Sequence, residues 1–438
     1  VTPELKGDIC TDYHHYLTVP NVTEDLHRQA PGRNFWIHLK GKDPWSVSGQ
    51  SVFQKNNLWR DPEKSKVTGK PGGFELQRIH PDGLEVTTTL FVSITENVEI
   101  MLVKVHNKSD ETIRFKAYNA TPIYGRSADH VRDHRQVTTM FQETAVDLHG
   151  VRVKPRMVHN EEGHVKNDCQ YVVYGFDKNG NAPIAVWPSM TDFIGEGGSL
   201  ENPEVIFKSL PAKKYSGYET GGSEAIGAFR FEETFLTANS DTHFVVISGI
   251  SEDKNEIDRW SRKYANQTNA FIELSKTESY WKRLTEKISI ESSNKNFDHS
   301  FKWVIYQVKC RQIFGNSFLP DYGYGKGGRG WRDLWQDLLA VFLIDPKSAQ
   351  NEILNNFLGI RFDGSNATII GEKSGEFKAD RNNIPRTWSD HGAWPVFVTD
   401  FYLNQTGDYT LLLEYVPYWK DQHIFRSQQQ DQLWERKQ

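Results

Sequence analysis

Cysteine is scarce in this chain: Cys10, Cys169 and Cys310 are its three, far apart and without CxxC spacing. They cannot all pair with one another, which argues against a disulfide framework and favours a reducing cytoplasm. No apolar run reaches the roughly 18 residues that suggest a membrane helix. The opening residues, VTPELKGDICTDYHHYL, have neither the basic start nor the apolar core of a signal peptide. Without a leader, sequons such as Asn21-Val-Thr and Asn366-Ala-Thr carry little weight. Positive charge is not in excess either. The net charge is -5 and the isoelectric point about 6.3, which gives no electrostatic reason to expect nucleic-acid or membrane binding. GxSxG and HExxH are both missing, so neither a nucleophile elbow nor a zincin helix is expected.

Aromatic residues are plentiful: 13 Trp, 17 Tyr and 25 Phe. Their faces suit sugar rings, yet in a β-rich chain they are first of all core material. At 438 residues the chain exceeds the usual single-domain size, so two or more cores are expected. Residues 1–250 read as all-β. Short β-branched and aromatic runs recur at Leu84–Ile94, Val98–Val105, Ile113–Ala117, Tyr171–Gly175 and His243–Ser248. Turns such as Asp177–Gly180 and Gly221–Ser223 separate them, which points to a sandwich.

From Glu252 to Glu286 glycine and proline vanish, and Ile257, Trp260, Tyr264, Phe271, Leu274, Tyr280, Trp281 and Leu284 recur at helical spacing. Residues 251–294 are therefore expected to form a helical linker. Residues 295–438 read as all-helical, with helices predicted at Phe297–Ile313, Arg332–Leu343, Pro346–Leu358, Gly392–Asn404 and Tyr409–Tyr418. Pro346 suits a first helical turn, where its missing N–H would be unpaired anyway.

The stretch richest in chemistry is Gly323–Ala340, GYGKGGRGWRDLWQDLLA, a glycine-rich cationic loop running into an amphipathic helix. Residues four apart share a helix face, so Arg332 sits beside Gln336 and Asp333 beside Asp337. Like charges at that spacing cost about 0.2–0.5 kcal/mol unless something between them responds. A polyol, accepting from the cation and donating to the carboxylates, responds well. In the loop, Lys326 offers phosphate a point charge and Arg329 a fork, and a helix N-terminus favours an anion. Gly323, Gly325 and Gly328 formally match GxGxxG, but Asn316–Tyr322 supplies no apolar strand before them, and a dinucleotide fold is rejected.

Three further clusters carry chemistry-bearing side chains. Asp129, His130, Asp133 and His134 place two histidines four apart, but Arg126, Arg132 and Arg135 would repel a cation, so a charged loop or substrate-side lid is favoured over a metal site. His14 and His15 are weaker still, since neighbours on a strand face opposite ways. In Trp388-Ser-Asp-His391, Ser389 or Asp390 reads by default as a helix N-cap, with sugar binding by Asp390 the sharper alternative.

Taken together these segments resemble a known family. GKGGRGWRDLWQDLLA is similar to the G-R-G-x-G-[FY]-R-D-x-x-Q-D-L-L motif of glycoside phosphorylases of the cellobiose phosphorylase type. Arg361-Phe-Asp-Gly364, Trp388–Pro395 and Tyr402–Tyr418 resemble later motifs of that family, and Arg132–Thr138 and Ile194–Ser199 resemble segments of its β-rich part. The resemblance implies an N-terminal super-β-sandwich (1–250), a helical linker (251–294) and an (α/α)6 catalytic barrel beginning at residue 295. It also implies a cytoplasmic, usually dimeric enzyme of glycosyltransferase type that needs no metal for its reaction, with inorganic phosphate as co-substrate. Such enzymes cleave β-glucosidic bonds with inversion and release a sugar 1-phosphate. By matching position, Arg332 and Asp337 hold the sugar beside the cleaved bond; the helix-face reading adds Asp333 and Gln336, and the sharper reading of Trp388–His391 adds Asp390. Lys326 or Arg329 holds phosphate.

An inverting glycosidase needs a general acid and a base. Phosphate is already an anionic nucleophile, so a cationic cradle takes the place of the base and one carboxylic acid remains essential. In the family that acid opens a D-W-N-D motif, which this sequence does not contain. Twelve helices with their loops need roughly 180–220 residues, whereas residues 295–438 supply far fewer. The expectation is the first half of a barrel, part of a longer enzyme whose general acid lies beyond Gln438. Two rivals stay open: a related inverting hydrolase or transglycosylase, and a non-catalytic glucan-binding protein.

Overall fold

The structure is a computed structural model that describes residues 1–11, 15–20, 32–56, 65–127, 130, 134–156, 158–160, 163–165, 167–211, 218–219, 222–314, 329–370, 375–378 and 388–419. The chain forms two compact units, Val1–Tyr280 and Trp281–Gln438.

The first unit is built on two antiparallel sheets. One has nine strands, in spatial order Tyr218–Glu219, Gln142–Asp147, Gly150–Pro155, Gln170–Phe176, Asp241–Ser251, Val98–Asn107, Leu84–Val92, Gly73–Ile79 and Lys66–Lys70. The other runs Ala185–Ser189, Ala225–Arg230, Ile113–Ile123, Asn34–Leu39 and Trp45–Ser46, with Thr234–Leu236 also paired to Ile113–Ile123. Side chains alternate along a strand. In Gln170–Phe176, Tyr171 and Val173 join the core shared with Phe35, Phe229 and Val246, whereas Val172, Tyr174 and Phe176 join a second cluster with Ile257, Trp260 and Tyr264. That strand is buried on both faces. The sheets make a sandwich, and a helix covers the second face of the larger sheet.

The covering helix, Lys254–Ala265, starts at Asp253, whose carboxylate accepts from the Asn255 N–H at 2.8 Å, and carries Arg262 and Lys263 in its last turn, where a cation suits the helix dipole. Trp260 packs so close to the sheet that a Cβ on Gly249 would meet its ring at 2.5 Å, so the strand needs glycine there. The helical run expected from Glu252 to Glu286 is two helices, Lys254–Ala265 and Thr268–Thr285. Asn266 between them is extended, and its Oδ1 accepts from the Thr268 N–H at 3.2 Å. Buried Gln267 donates to the Phe176 carbonyl at 3.3 Å, docking the break on the sheet.

Charge is buried under this cover. Glu273 is fully enclosed and accepts from Ser93 Oγ at 2.8 Å and Lys263 Nζ at 3.2 Å. Burial works to raise its pKa, but the bonds from Ser93 and Lys263 outweigh it and hold the carboxyl below its ordinary range. Lys263 also donates to Glu96 at 2.7 Å, and the Tyr264 hydroxyl donates to the same carboxylate at 2.9 Å. At the N-terminus, buried Arg33 grips Glu99 and donates to the Leu5 carbonyl at 3.0 Å.

In the second unit the helices Lys295–Phe314, Trp331–Ile344, Pro346–Phe357 and Ala393–Thr406 form close to their predicted positions. Their core includes Trp331, Trp335, Leu338, Phe342, Ile353 and Tyr402. Pro346 takes the first-turn place, and the Asp345 carboxylate caps the helix through Ser348 N–H at 3.4 Å. The fifth predicted helix, Tyr409–Tyr418, is corrected: only Tyr409–Leu413 forms, as a 3-10 turn capped by Asp408. Pro417 disfavours helical backbone at Val416, and Leu412, Leu413 and Tyr415 are exposed, so no buried face holds a longer helix.

Replacing Trp260 by Ala is expected to lower the stability of the sandwich unit by about 3–5 kcal/mol, measured by urea unfolding. A loss under about 1 kcal/mol would show that the helix does not depend on this ring.

Candidate active site

The Trp331–Ile344 helix rises directly from a short strand. Arg329–Gly330 pairs with Ile369–Ile370, which pairs with Phe377–Lys378. Gly330 ends the strand in extended backbone, and the Trp331 N–H donates to the Thr368 carbonyl at 2.9 Å. At 100° per residue, Trp331, Leu334, Trp335, Leu338 and Phe342 form one stripe, and all are buried. Trp331 and Trp335 pack edge to face with centroids 5.8 Å apart, so both are core rather than sugar platforms. A Cβ on Gly359 would come within 2.6 Å of the Trp331 ring, and the indole donates to the His391 carbonyl at 3.1 Å.

That tether holds the Trp388–His391 segment against the start of the helix. Arg332 Nη1 donates to Asp390 Oδ2 at 3.0 Å, and the Trp394 indole donates to the same oxygen at 3.3 Å. The Arg332 hydrogen bond, then that of Trp394, holds the Asp390 carboxyl below its usual range; the same bond raises the pKa of Arg332. The default reading of Ser389 or Asp390 as a helix cap is corrected: the helix begins at Ala393 after Gly392, with no side-chain cap, because the Asp390 carboxylate is turned to Arg332 and Trp394.

Of the other expected residues, Asp337 is buried at the edge of the apolar stripe, and Asp333 and Gln336 are half-buried on the same helix. The Arg329 backbone pairs with Ile370, while Lys326 lies outside the described residues. Asp129 and Asp133 lie outside them too, and His130 is buried. Arg361-Phe-Asp-Gly364 is a structural turn. Gly364 takes φ +80°, Asp363 accepts from the Ser365 N–H at 2.9 Å, and the Arg361 guanidinium donates to the Asn366 carbonyl at 2.9 Å and lies over the Trp419 ring.

The sequence reading missed Asn366, His391 and Trp394. Asn366 Nδ2 lies 3.2 Å from His391 Nδ1, and the Trp388 ring stacks on His391 at 5.6 Å with a 17° tilt. Asn366 also lines a groove of about 420 Å³ with Gly392, Val396, Thr399, Asp400 and Leu403. The dense aromatic and polar run from Trp388 to Trp394 was the available signal; its partners are remote in sequence.

Chemically, Asp390 takes one of the five N–H donors of a guanidinium. The half-exposed pair therefore offers donors and an acceptor side by side, next to aromatic edges, which is the complement a sugar presents.

Residues 11–267 match the supersandwich domain of glycosyl hydrolase 94, and residues 280–432 match the catalytic domain of the glycosyl hydrolase 94 superfamily. The chain belongs to this family, and its resemblance to glycoside phosphorylases of the cellobiose phosphorylase type is borne out. An N,N'-diacetylchitobiose phosphorylase of Vibrio proteolyticus is 22% identical over 91% of this chain and 49% of its own. A cellobionic acid phosphorylase of Neurospora crassa is 25% identical over 52% of this chain and 27% of its own. A solabiose phosphorylase of Paenibacillus borealis is 20% identical over 77% of this chain and 40% of its own. The chain thus spans about half the length of the first curated relatives it matches. Among the described residues, no helix is long and apolar enough to cross a membrane.

The Asp390 carboxyl is expected to titrate below the ordinary value of about 3.9, followed by carboxyl NMR shifts. Because its folded pKa is depressed, the pair's small contribution to stability is present above the unfolded pKa and lost as pH falls through the folded one. Arg332→Ala should move the titration upward; an unchanged midpoint would mean the pair does not form in solution.

Proposed function

We propose that the chain serves the reversible phosphorolysis, with inversion, of a β-linked gluco-oligosaccharide or disaccharide, yielding a sugar 1-phosphate. The observation that carries this reading is the Arg332–Asp390–Trp394 cluster at the start of a helix, within the segment matching the glycosyl hydrolase 94 catalytic domain. In this reading Arg332, Asp333, Gln336, Asp337 and Asp390 orient the sugar beside the bond that breaks. Lys326 or Arg329 holds inorganic phosphate, which attacks the anomeric carbon from the face opposite the leaving oxygen. No cofactor takes part, because phosphate supplies the nucleophile.

The leaving oxygen still needs a proton, and this reading assigns it to a carboxylic acid beyond Gln438, on the second half of an (α/α)6 barrel. Support comes from Val396, Phe397, Leu412 and Leu413, all exposed, which further barrel helices would cover. The first residues, 1–250, serve as the sandwich domain, 251–294 as the linker and 295–438 as the barrel half. The working enzyme in this reading is a cytoplasmic homodimer. The relatives that act on chitobiose, cellobionic acid and solabiose set the substrate panel, together with cellobiose and laminaribiose.

The test is incubation of the complete enzyme with that panel, with and without inorganic phosphate, read by phosphorus NMR. A phosphate-dependent sugar 1-phosphate of α configuration from a β substrate supports the reading. Free sugars formed equally without phosphate would show a hydrolase, and binding without turnover a glucan-binding protein. Asp337→Ala should cut kcat/KM by about 10- to 150-fold or more, the worth of about 1.5–3 kcal/mol for a hydrogen bond to a charged group, with the circular dichroism spectrum kept. Near-normal turnover would remove Asp337 from the sugar subsite.

A further inference from the structure

Three ligating side chains from remote stretches of the sandwich unit meet outside the residues assigned above. His15, Cys169 and Glu252 each place one ligand atom within 4.8 Å of the others. The sheet brings two of them together. Gln170 pairs with Ser251 at the end of the antiparallel ladder, so Cys169 and Glu252 are the next residues outward on the two strands. Cross-strand neighbours have Cβ atoms roughly 4.5–5.5 Å apart, and here the Cys169 thiol lies 3.9 Å from Glu252 Oε1. An Asn167 side chain fixes the approach of the cysteine by accepting from its N–H at 2.9 Å. His15 arrives on the N-terminal segment, whose neighbour Tyr16 bridges to Cys10 and whose backbone bonds to Arg126 at 3.1 Å.

We propose that His15, Cys169 and Glu252 form a binding site for a borderline divalent transition metal, with Zn²⁺ its natural occupant. The donor set selects the ion. A thiolate, an imidazole and one carboxylate suit zinc, whereas magnesium and calcium take oxygen. Two anionic ligands and a neutral imidazole balance a +2 charge. Ligand bonds of about 2.0–2.3 Å in a tetrahedron place ligand atoms about 3.3–3.6 Å apart, so the cluster closes by a modest contraction. Glu252 is exposed and free to supply it, while Cys169 is buried and anchored. On binding, the Cys169 thiol loses its proton to solvent and the sulfur becomes the ligand. Three protein ligands with one edge facing water leave the fourth position to a water molecule. The site clips the N-terminal segment to the end of the nine-stranded sheet, and it has no part in the proposed carbohydrate chemistry.

The experiment is titration of the chelator-treated protein with Co²⁺, followed by Zn²⁺. One equivalent of Co²⁺ should produce a sulfur-to-cobalt charge-transfer absorption, and Zn²⁺ should abolish it while raising the melting temperature. Cys169→Ser should remove the absorption. Glu252→Gln, a surface change that leaves folding intact, and His15→Ala should each weaken affinity by more than the roughly 10- to 100-fold that outer-shell partners are worth. No sulfur-to-cobalt absorption at excess Co²⁺ overturns the proposal. So does an absorption that survives Cys169→Ser but is lost in Cys10→Ser or Cys310→Ser. Should Cys169→Ser fail to fold, unchanged affinity in both Glu252→Gln and His15→Ala overturns it equally.

Discussion

A strand that is apolar on both faces must be covered twice, and the sandwich unit is organised by that demand. Gln170–Phe176 alternates Tyr171 and Val173 toward one core with Val172, Tyr174 and Phe176 toward another, and its neighbour Asp241–Ser251 divides Val246 from Val245 and Ile247 in the same way. A second sheet closes the first core. Nothing in a two-sheet sandwich closes the second, so the chain spends the helix after the last strand on it, with Trp260 seated where Gly249 has no side chain. Leaving either face in water would forfeit about 25 cal/mol for each Å² of apolar surface.

The charges beneath that helix follow from the same cover. Ion pairs taken out of water gain little net stability, but they tolerate only one arrangement, since a partner removed leaves a buried charge uncompensated. Lys263, Glu96, Glu273 and Ser93 thus fix where the helices Lys254–Ala265 and Thr268–Thr285 lie on the sheet. The Arg332–Asp390 pair has the same chemistry in the opposite setting. Half in water, it contributes little to stability, and its groups stay accessible. Placement at an open helix start, rather than strength, is what makes it a candidate for a ligand.

The candidate site is held by apolar packing more than by its own polar contacts. Trp331 is buried in the helical core, touches Gly359, and donates to the His391 backbone, so one indole locates both the Arg332 helix and the Asp390 segment. Asn366 then joins His391 to the groove lined by Thr399 and Asp400. Polar groups that act on a substrate are accurate only when a rigid frame sets them, and here that frame is aromatic.

The sequence alone was sufficient for five of the strands, the helical run after Glu252 and four of the helices of the second unit, because side-chain period and turn residues act locally. The family motifs were likewise legible as contiguous strings. Tyr409–Tyr418 was misread because an apolar helical pattern becomes a helix only when something buries its face. Asp390 was read as a cap because local rules describe the nearest backbone, whereas its partner Arg332 is 58 residues away. His15, Cys169 and Glu252 carry no spacing signal at all; a ladder end and a returning N-terminal segment bring them together. Local propensity is written in neighbouring residues, but the meeting of remote side chains is decided by which faces must be buried, and that exists only in the folded chain.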